Sequence, residues 1–244
     1  VNDELRALLE KLNANSESLD EITRREVEEE LKQLKKLENV PIEEYAAYSR
    51  LISEASVKWR EAKQTNDYPL FKPYLERIIA AQKSLMAHMY PGKDTYDALL
   101  EEFSEGLSVE MLDPFFANVK AKLVPVIHAV CQSGNQADDS LLHRPFPIEG
   151  QRRLSSFVMD FLGIDRDSCV IGEVEHPFTT EFNKHDVRLT THYHEDDVLS
   201  NMFSVAHEGG HCLYELNMGD ELIGSPLSGG ATMTLHESQS RLFE

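Results

Sequence analysis

The stretch Phe203-Ser204-Val205-Ala206-His207-Glu208-Gly209-Gly210-His211-Cys212-Leu213-Tyr214 contains His-Glu-x-x-His, and the rest of the chain is read outward from it. On an α-helix, residues i and i+4 lie on one face, one turn apart. His207 and His211 therefore point two imidazoles toward one metal ion. Glu208 sits one step round from His207, where it can hold a water beside that metal. Val205, Cys212, Leu213 and Leu216 supply an apolar stripe, as a buried helix requires. Gly209-Gly210 works against the helix, at roughly 1 kcal/mol per glycine relative to Ala. A helix that accepts that cost needs a close backbone approach, by substrate or by a neighbouring element.

A helical His pair with an adjacent Glu base is the arrangement used by zinc peptidases, and a catalytic zinc takes three protein ligands plus a water. The third ligand must come from elsewhere. Glu237 is the leading candidate, on a second helix behind a glycine-rich connection that can fold back. His236 is an alternative. Glu215 lies one turn past His211, roughly 6 Å further along the axis, which suits an outer partner or a surface position. Cys212 follows a candidate ligand but points to another face of the helix, as a small core residue.

The chain has 244 residues, 43 acidic against 24 basic, and a formal net charge of -19. That balance argues against nucleic acid or an anionic membrane as a partner. No run of 18 apolar residues is present, so no transmembrane helix is expected. Val1 to Glu10 is charged and lacks the apolar core of a signal peptide. Cys131, Cys169 and Cys212 are far apart in sequence and odd in number. Such usage suits a reducing cytoplasm without a disulfide framework.

Read in order, residues 1–38 carry helical spacing in Leu5, Leu8, Leu9 and Leu12, and again in Val27, Leu31, Leu34 and Leu37. Ser18-Leu19-Asp20-Glu21 has the form of a capping box before the second run. A third helix starts near Pro41, with Tyr45, Tyr48, Ile52, Ala55 and Trp59 on one side as core. Asn66 to Pro69 interrupts the pattern. A fourth helix carries Leu75, Ile78, Ile79, Gln82, Leu85 and Met86, and Tyr90 to Asp94 closes it as a turn. A short acidic helix from Thr95 ends at Gly106. Ser108 caps a segment from Val109 through Gln132, which Pro125 would kink. Ser133 to Ser140 is a loop, and Gln151 to Leu162 is a helix closed by Gly163. Ser168 to Val174 and Asp186 to Tyr193 read as short strands. The expected architecture is mainly α, a multihelical zincin-like lobe with a small β-sheet beside the metal helix. It forms one domain over residues 1–244. Residues 1–165 make a helical front part; residues 166–244 hold the sheet and the metal-binding helices.

Four stretches in this order resemble a known family. They are His176-Pro177-Phe178, Asp186-Val187-Arg188-Leu189-Thr190, His207-Glu208-Gly209-Gly210-His211 and His236-Glu237-Ser238-Gln239. They are similar to the HPF, DxRxT, HExxH and HES(G)Q motifs of the carboxypeptidase Taq-type metallocarboxypeptidases. Tyr96-Asp97-Ala98-Leu99-Leu100 and the multihelical front part also resemble that family. The resemblance covers essentially the whole chain. It implies a mostly helical two-lobed fold with a deep groove, and release of single C-terminal residues from peptides with broad specificity. It also implies zinc, replaceable by cobalt, and a homodimer. By motif match, His207, His211 and Glu237 would be ligands and Glu208 the base. Family members are about twice this length, and their later IRxxAD and GxxQDxHW motifs have no counterpart here. The chain, which starts at Val1 without Met and stops inside a helical pattern, is therefore expected to be the N-terminal half of a longer peptidase, with an incomplete groove. Apolar faces built to meet an absent half would be exposed and favour self-association.

An exopeptidase needs a cation for the terminal carboxylate, and an Arg fork suits it best. Arg188 is the candidate present, though Asp186 two residues away offers it a scaffold partner instead. His176 precedes Pro177 and is therefore extended, within reach of substrate. His236 is a third candidate for substrate contact. His192 and His194 alternate along a strand and, with His185, line a surface or the groove. Three other readings remain: a metal-binding helical fragment without activity, an endopeptidase or dipeptidase sharing the HExxH-plus-Glu ligand set, and a purely structural helical protein with a fortuitous motif.

Overall fold

Helix-capping signals are dense in the front of the chain, and helices form where they predict. The computed structural model describes residues 3–134 and 137–244. Helix α1 spans Asp3–Asn13, α2 Glu21–Leu37, α3 Ile42–Thr65, α4 Tyr68–Met89 and α5 Thr95–Phe103. The start of α2 differs in detail from the expected capping box. Asp20 is the N-cap, its carboxylate accepting from the Thr23 amide at 3.0 Å. Ser18 instead sits in a 3₁₀ turn and donates to the Asn15 carbonyl. A carboxylate at this position satisfies an orphan amide and also meets the positive end of the helix dipole, which a hydroxyl does not. That hydrogen bond holds the Asp20 carboxyl below its ordinary pKa. Asn66 ends α3 in the left-handed region, at φ 53°, and Asp67 caps α4 with Pro69 in its first turn.

The chain divides into two units, Val1–Glu102 and Phe103–Glu244. In the first, α1 packs on α2 and α3 on α4. Leu85, Met86 and Ala98 are buried there, flanked by Tyr48, Met89 and Leu99. The buried line of α3 is Leu51, Ala55 and Ala62, whereas Tyr45 and Ile52 of the expected aromatic stripe are exposed. Small alanines let α4 approach along that line. Tyr48 takes a flanking place, its hydroxyl accepting from Gln82 Nε2 at 2.7 Å.

In the second unit, α6 (Val109–Gln132) starts at Ser108 and runs as one helix through Pro114 and Pro125. None of its residues is buried. Phe115, Phe116, Leu123, Val126, Ile127 and Val130 are all exposed. Asn135 and Gln136, in the middle of the expected Ser133–Ser140 loop, lie outside the described residues. Helix α7 spans Ile148–Phe161, and a turn with Gly163 at φ 73° leads to the sheet.

Strands β1 (Cys169–Glu173) and β3 (Asp186–Thr191) match the two expected β segments. A further strand, β2 (Thr179–Asn183), was not expected. The order is β1-β3-β2, with β1 parallel and β2 antiparallel to β3. As the central strand, β3 buries Val187, Leu189 and Thr191 and exposes Arg188 between them. Helix α8 (Val198–Leu216) lies on that buried face and also packs against α7 and α9 (Met233–Phe243). Met159, Ile164, Cys169, Val187, Leu189, Val205 and Cys212 close the core between them. Cys169 and Cys212, far apart in sequence, bring their free thiols within 3.0 Å. Among the described residues, no helix is long and apolar enough to cross a membrane.

Asn201 fastens α8 to its neighbours. Its side chain is fully buried; Oδ1 accepts from Ser155 and Thr191 at 3.0 Å each, and Nδ2 donates to the Gln151 carbonyl at 3.3 Å. Asn201→Leu keeps the volume but leaves two hydroxyls and a carbonyl without it. Since each buried polar group left unpaired costs about 1–3 kcal/mol, we expect urea denaturation to show a loss of about 2–4 kcal/mol. A loss below about 0.5 kcal/mol would mean that water replaces the amide.

Candidate metal centre

The two glycines of α8 explain where the third candidate ligand comes from. A Cβ at Gly210 would sit 2.6 Å from Ser240 Cα and 2.8 Å from the Gln239 carbonyl oxygen. No side chain fits that gap, so α9 crosses α8 with backbone nearly touching backbone. At Gly209 a Cβ would meet Leu162 Cδ1 at 2.7 Å. The helix therefore gives up propensity to be approached on two sides.

That approach carries Glu237 over the His pair. The potential ligand atoms of His207, His211 and Glu237 all lie within 4.8 Å of one another. Glu237 Oε2 is 3.6 Å from His207 Nε2, and Oε1 is 3.9 Å from His211 Nε2. Ligands of a tetrahedral zinc at about 2.0–2.1 Å stand roughly 3.3–3.4 Å apart. The two Glu237 spacings are within about half an ångström of that and the whole cluster spans at most 4.8 Å, so two imidazole nitrogens and a carboxylate can close on a divalent metal by side-chain adjustment. Ser240, fully buried against Gly210, donates to Glu237 Oε2 at 3.1 Å and helps set its rotamer.

Glu208 lies beside this cluster and is only 6 % exposed. The Thr179 hydroxyl bonds its Oε2 at 2.7 Å and its carbonyl at 3.0 Å. Burial pushes the Glu208 carboxyl above its ordinary pKa, against the lowering effect of the Thr179 bond. On the far sides of the ligand rings, His207 Nδ1 is 3.3 Å from Glu244 Oε2, and His211 Nδ1 is 2.5 Å from His236 Nδ1. His236 Nε2 in turn is 2.6 Å from Glu215 Oε1. The Glu215 bond raises the His236 pKa, while burial lowers that of His211.

The cluster opens into a cleft of about 790 Å³. Its walls include His176, Thr179, Glu181, Met233, Glu237 and Glu244. His176 thus stands where substrate contact is possible. Arg188 does not line the cleft. Both its Nε and Nη2 donate to Asp186 carboxylate oxygens at 2.8 Å, and the guanidinium lies over the Phe182 ring at 4.6 Å. The strand register turns it away from the metal helix and into the pairing with Asp186 that the sequence offered as the alternative to a substrate anchor. His236 also lines the cleft, with both ring nitrogens engaged, by His211 and Glu215. His192 borders the cleft and bonds Ser200 Oγ at 2.9 Å, and His194 stacks against it at 4.6 Å. Sequence reasoning missed Thr179, Ser240 and Glu244. Only Thr179 left a trace, as the residue directly after His176-Pro177-Phe178.

A family profile, that of the carboxypeptidase Taq (M32) metallopeptidases, matches residues 1–244. The chain belongs to this family. It is 39% identical to Carboxypeptidase 1 of Bacillus subtilis (strain 168) over 244 residues, which is 100% of this chain and 49% of that protein. It is 35% identical to Thermostable carboxypeptidase 1 of Thermus thermophilus over 201 residues, covering 79% of this chain and 39% of that one. Among solved structures, the BsuCP crystal structure superposes with a TM-score of 0.96 at 38% identity, over 99% of this chain and 49% of that chain. The M32 carboxypeptidase from Deinococcus radiodurans R1 gives 0.85 at 32%, over 98% and 48%. The chain therefore spans about half the length of the relatives it matches.

The Gly210 contact yields a paired prediction. Gly210→Ala is expected to push α9 away and lower zinc affinity at least tenfold, as displaced ligand geometry commonly does. Gly150→Ala, where the nearest atom is an Arg153 guanidinium nitrogen 3.9 Å off, is expected to leave affinity unchanged and gain up to about 1 kcal/mol of helix propensity. Competition with a chromophoric chelator measures both; equal affinities in the two variants would contradict the close-approach explanation.

Proposed function

We propose that this chain carries the metal-binding half of a zinc metallocarboxypeptidase that releases C-terminal residues from peptides. The observation that carries the reading is the convergence of His207, His211 and Glu237 beside a buried Glu208, at the wall of a cleft of about 790 Å³. The donor set of two imidazoles and a carboxylate favours zinc among the biological divalent ions, with cobalt as a substitute. Free cysteines, two of them buried as neighbouring thiols, are consistent with a reducing cytoplasm.

The residues divide the work as follows. His207 and His211 present Nε2 and Glu237 presents its carboxylate to the ion. A bound divalent ion supplies Lewis acidity toward the scissile carbonyl and toward a water. Glu208 accepts that water's proton and delivers it to the leaving amine. The Thr179 hydroxyl holds Oε2 still between the two halves of the transfer. Strand β2, at the edge of the sheet, borders the cleft through Thr179 and Glu181. An extended peptide can pair with such an edge. His176 is placed to touch the peptide beside it.

One observation favours a second reading for the chain by itself. Among the described residues lining the cleft, Glu181, Glu208, Glu215, Glu237 and Glu244 supply carboxylates and none is Arg or Lys. A terminal carboxylate would be repelled there without a further cation. We therefore propose that the carboxylate anchor comes from sequence beyond these residues, and that this chain alone binds metal more readily than it cleaves.

Two measurements on one sample test the function. The purified protein should take up one equivalent of zinc, and Glu208→Gln should keep that zinc. In the longer peptidase, the same change should lower hydrolysis of an N-blocked dipeptide by at least about 10²-fold, the scale of lost general-base catalysis. A Glu208→Gln protein that loses its zinc would show that the ligand and base assignments are exchanged or wrong.

A further inference from the structure

We infer that Glu215 and His236 form a positioning relay that fixes which nitrogen of His211 faces the metal. The inference rests on the metal-centre reading above and extends it to two residues outside the ligand set.

The argument follows the protons. Glu215 lies on α8 one turn beyond His211 and is 3 % exposed. An ionised carboxylate only accepts hydrogen bonds. At 2.6 Å, His236 Nε2 must therefore be the donor. A neutral imidazole with its hydrogen on Nε2 offers Nδ1 as an acceptor. That Nδ1 stands 2.5 Å from His211 Nδ1, so His211 carries its own hydrogen on Nδ1 and donates it. The lone pair of His211 is then left on Nε2, the atom that faces Glu237. With both rings neutral, each ring hydrogen and each lone pair in the chain has one place to go. The opposite tautomer of His211 would set lone pair against lone pair at His236 Nδ1 and put its hydrogen on Nε2, blocking the metal side.

The surroundings hold His236 in that role. Its ring lies 4.6 Å from that of His211 and meets the Tyr214 ring edge-on at 5.1 Å. A Cβ at Gly230 would overlap the His236 ring, so the glycine-rich connection passes flat across it. The ring is enclosed on the side away from His211, and its orientation is set by packing as well as by hydrogen bonds. Metal-bound imidazoles commonly rely on such an outer partner, whose loss costs metal affinity without removing a ligand. Here the partner is another imidazole, and the carboxylate that orients it comes from the same helix as the ligand.

The test compares zinc affinity, by chelator competition, for the unaltered protein, His236→Phe, His236→Asn and Glu215→Gln, with the visible spectrum of the cobalt-loaded forms. His236→Phe keeps the ring but removes the acceptor; it should bind zinc 10–100-fold more weakly and shift the cobalt bands. His236→Asn restores an acceptor near the former Nδ1 and should recover most of that loss, a rescue that a purely packing role would not give. Glu215→Gln preserves shape, and its smaller loss in the same direction decides the matter if His236→Phe fails to fold. Zinc affinity and cobalt spectra unchanged in both His236→Phe and Glu215→Gln, or unchanged in Glu215→Gln alone where the other does not fold, would overturn the relay. If the unaltered protein binds no zinc, the metal-centre reading itself falls. If it binds one equivalent and the variants match it, only the relay does.

Discussion

Helices α8 and α9 meet at Gly210 with no side chain between them, and the candidate site depends on that contact. Two ligands one turn apart on a helix are easy to encode, because the spacing is local. A third from another helix requires the two axes to come closer than ordinary side chains allow. Gly210 supplies the gap and Ser240 fills it, and the same serine steadies the Glu237 carboxylate. Gly209 does the same on the α7 side, where Leu162 and Ile164 press in. The intrinsic cost of two helical glycines, roughly 2 kcal/mol together, is offset by burying α8 among α7, the sheet and α9. Stability and chemistry thus draw on one packing arrangement.

Much of this was legible in the sequence because its physics is local. His207, Glu208 and His211 follow from helical spacing, and Glu237 from a second helix after a glycine-rich turn. The glycine pair announced a close approach without saying by what. Other features depended on partners that only the fold brings together. Strand β2 has no apolar run; it is held by antiparallel pairing with β3, which residues 179–183 alone do not reveal. The register of β3 turned Arg188 toward Asp186 and Phe182. On α3 the aromatic residues suggested a core, but small residues at Ala55 and Ala62 gave the tighter helix contact, leaving Tyr45 and Ile52 exposed. Cys169 and Cys212 became neighbours only because β1 pairs with β3, the strand that packs on α8.

Family membership and geometry agree on the class of chemistry, and the half-length coverage gives the remaining features a place. A cleft walled by carboxylates suits a bound cation and is poorly suited to grip an anion by itself. Helix α6 presents Phe115, Phe116, Leu123, Val126, Ile127 and Val130 without burying one residue. An apolar face of that extent ordinarily meets another surface. Both features fit a chain that corresponds to about half the length of its relatives.

The most direct measurement is zinc-edge anomalous diffraction from crystals of the zinc-loaded protein. The central claim requires one strong peak bonded to His207 Nε2, His211 Nε2 and a Glu237 oxygen, each at about 2.0–2.2 Å. A principal peak at His192 and His194 instead, with the α8 and α9 ligands unshared, would contradict it.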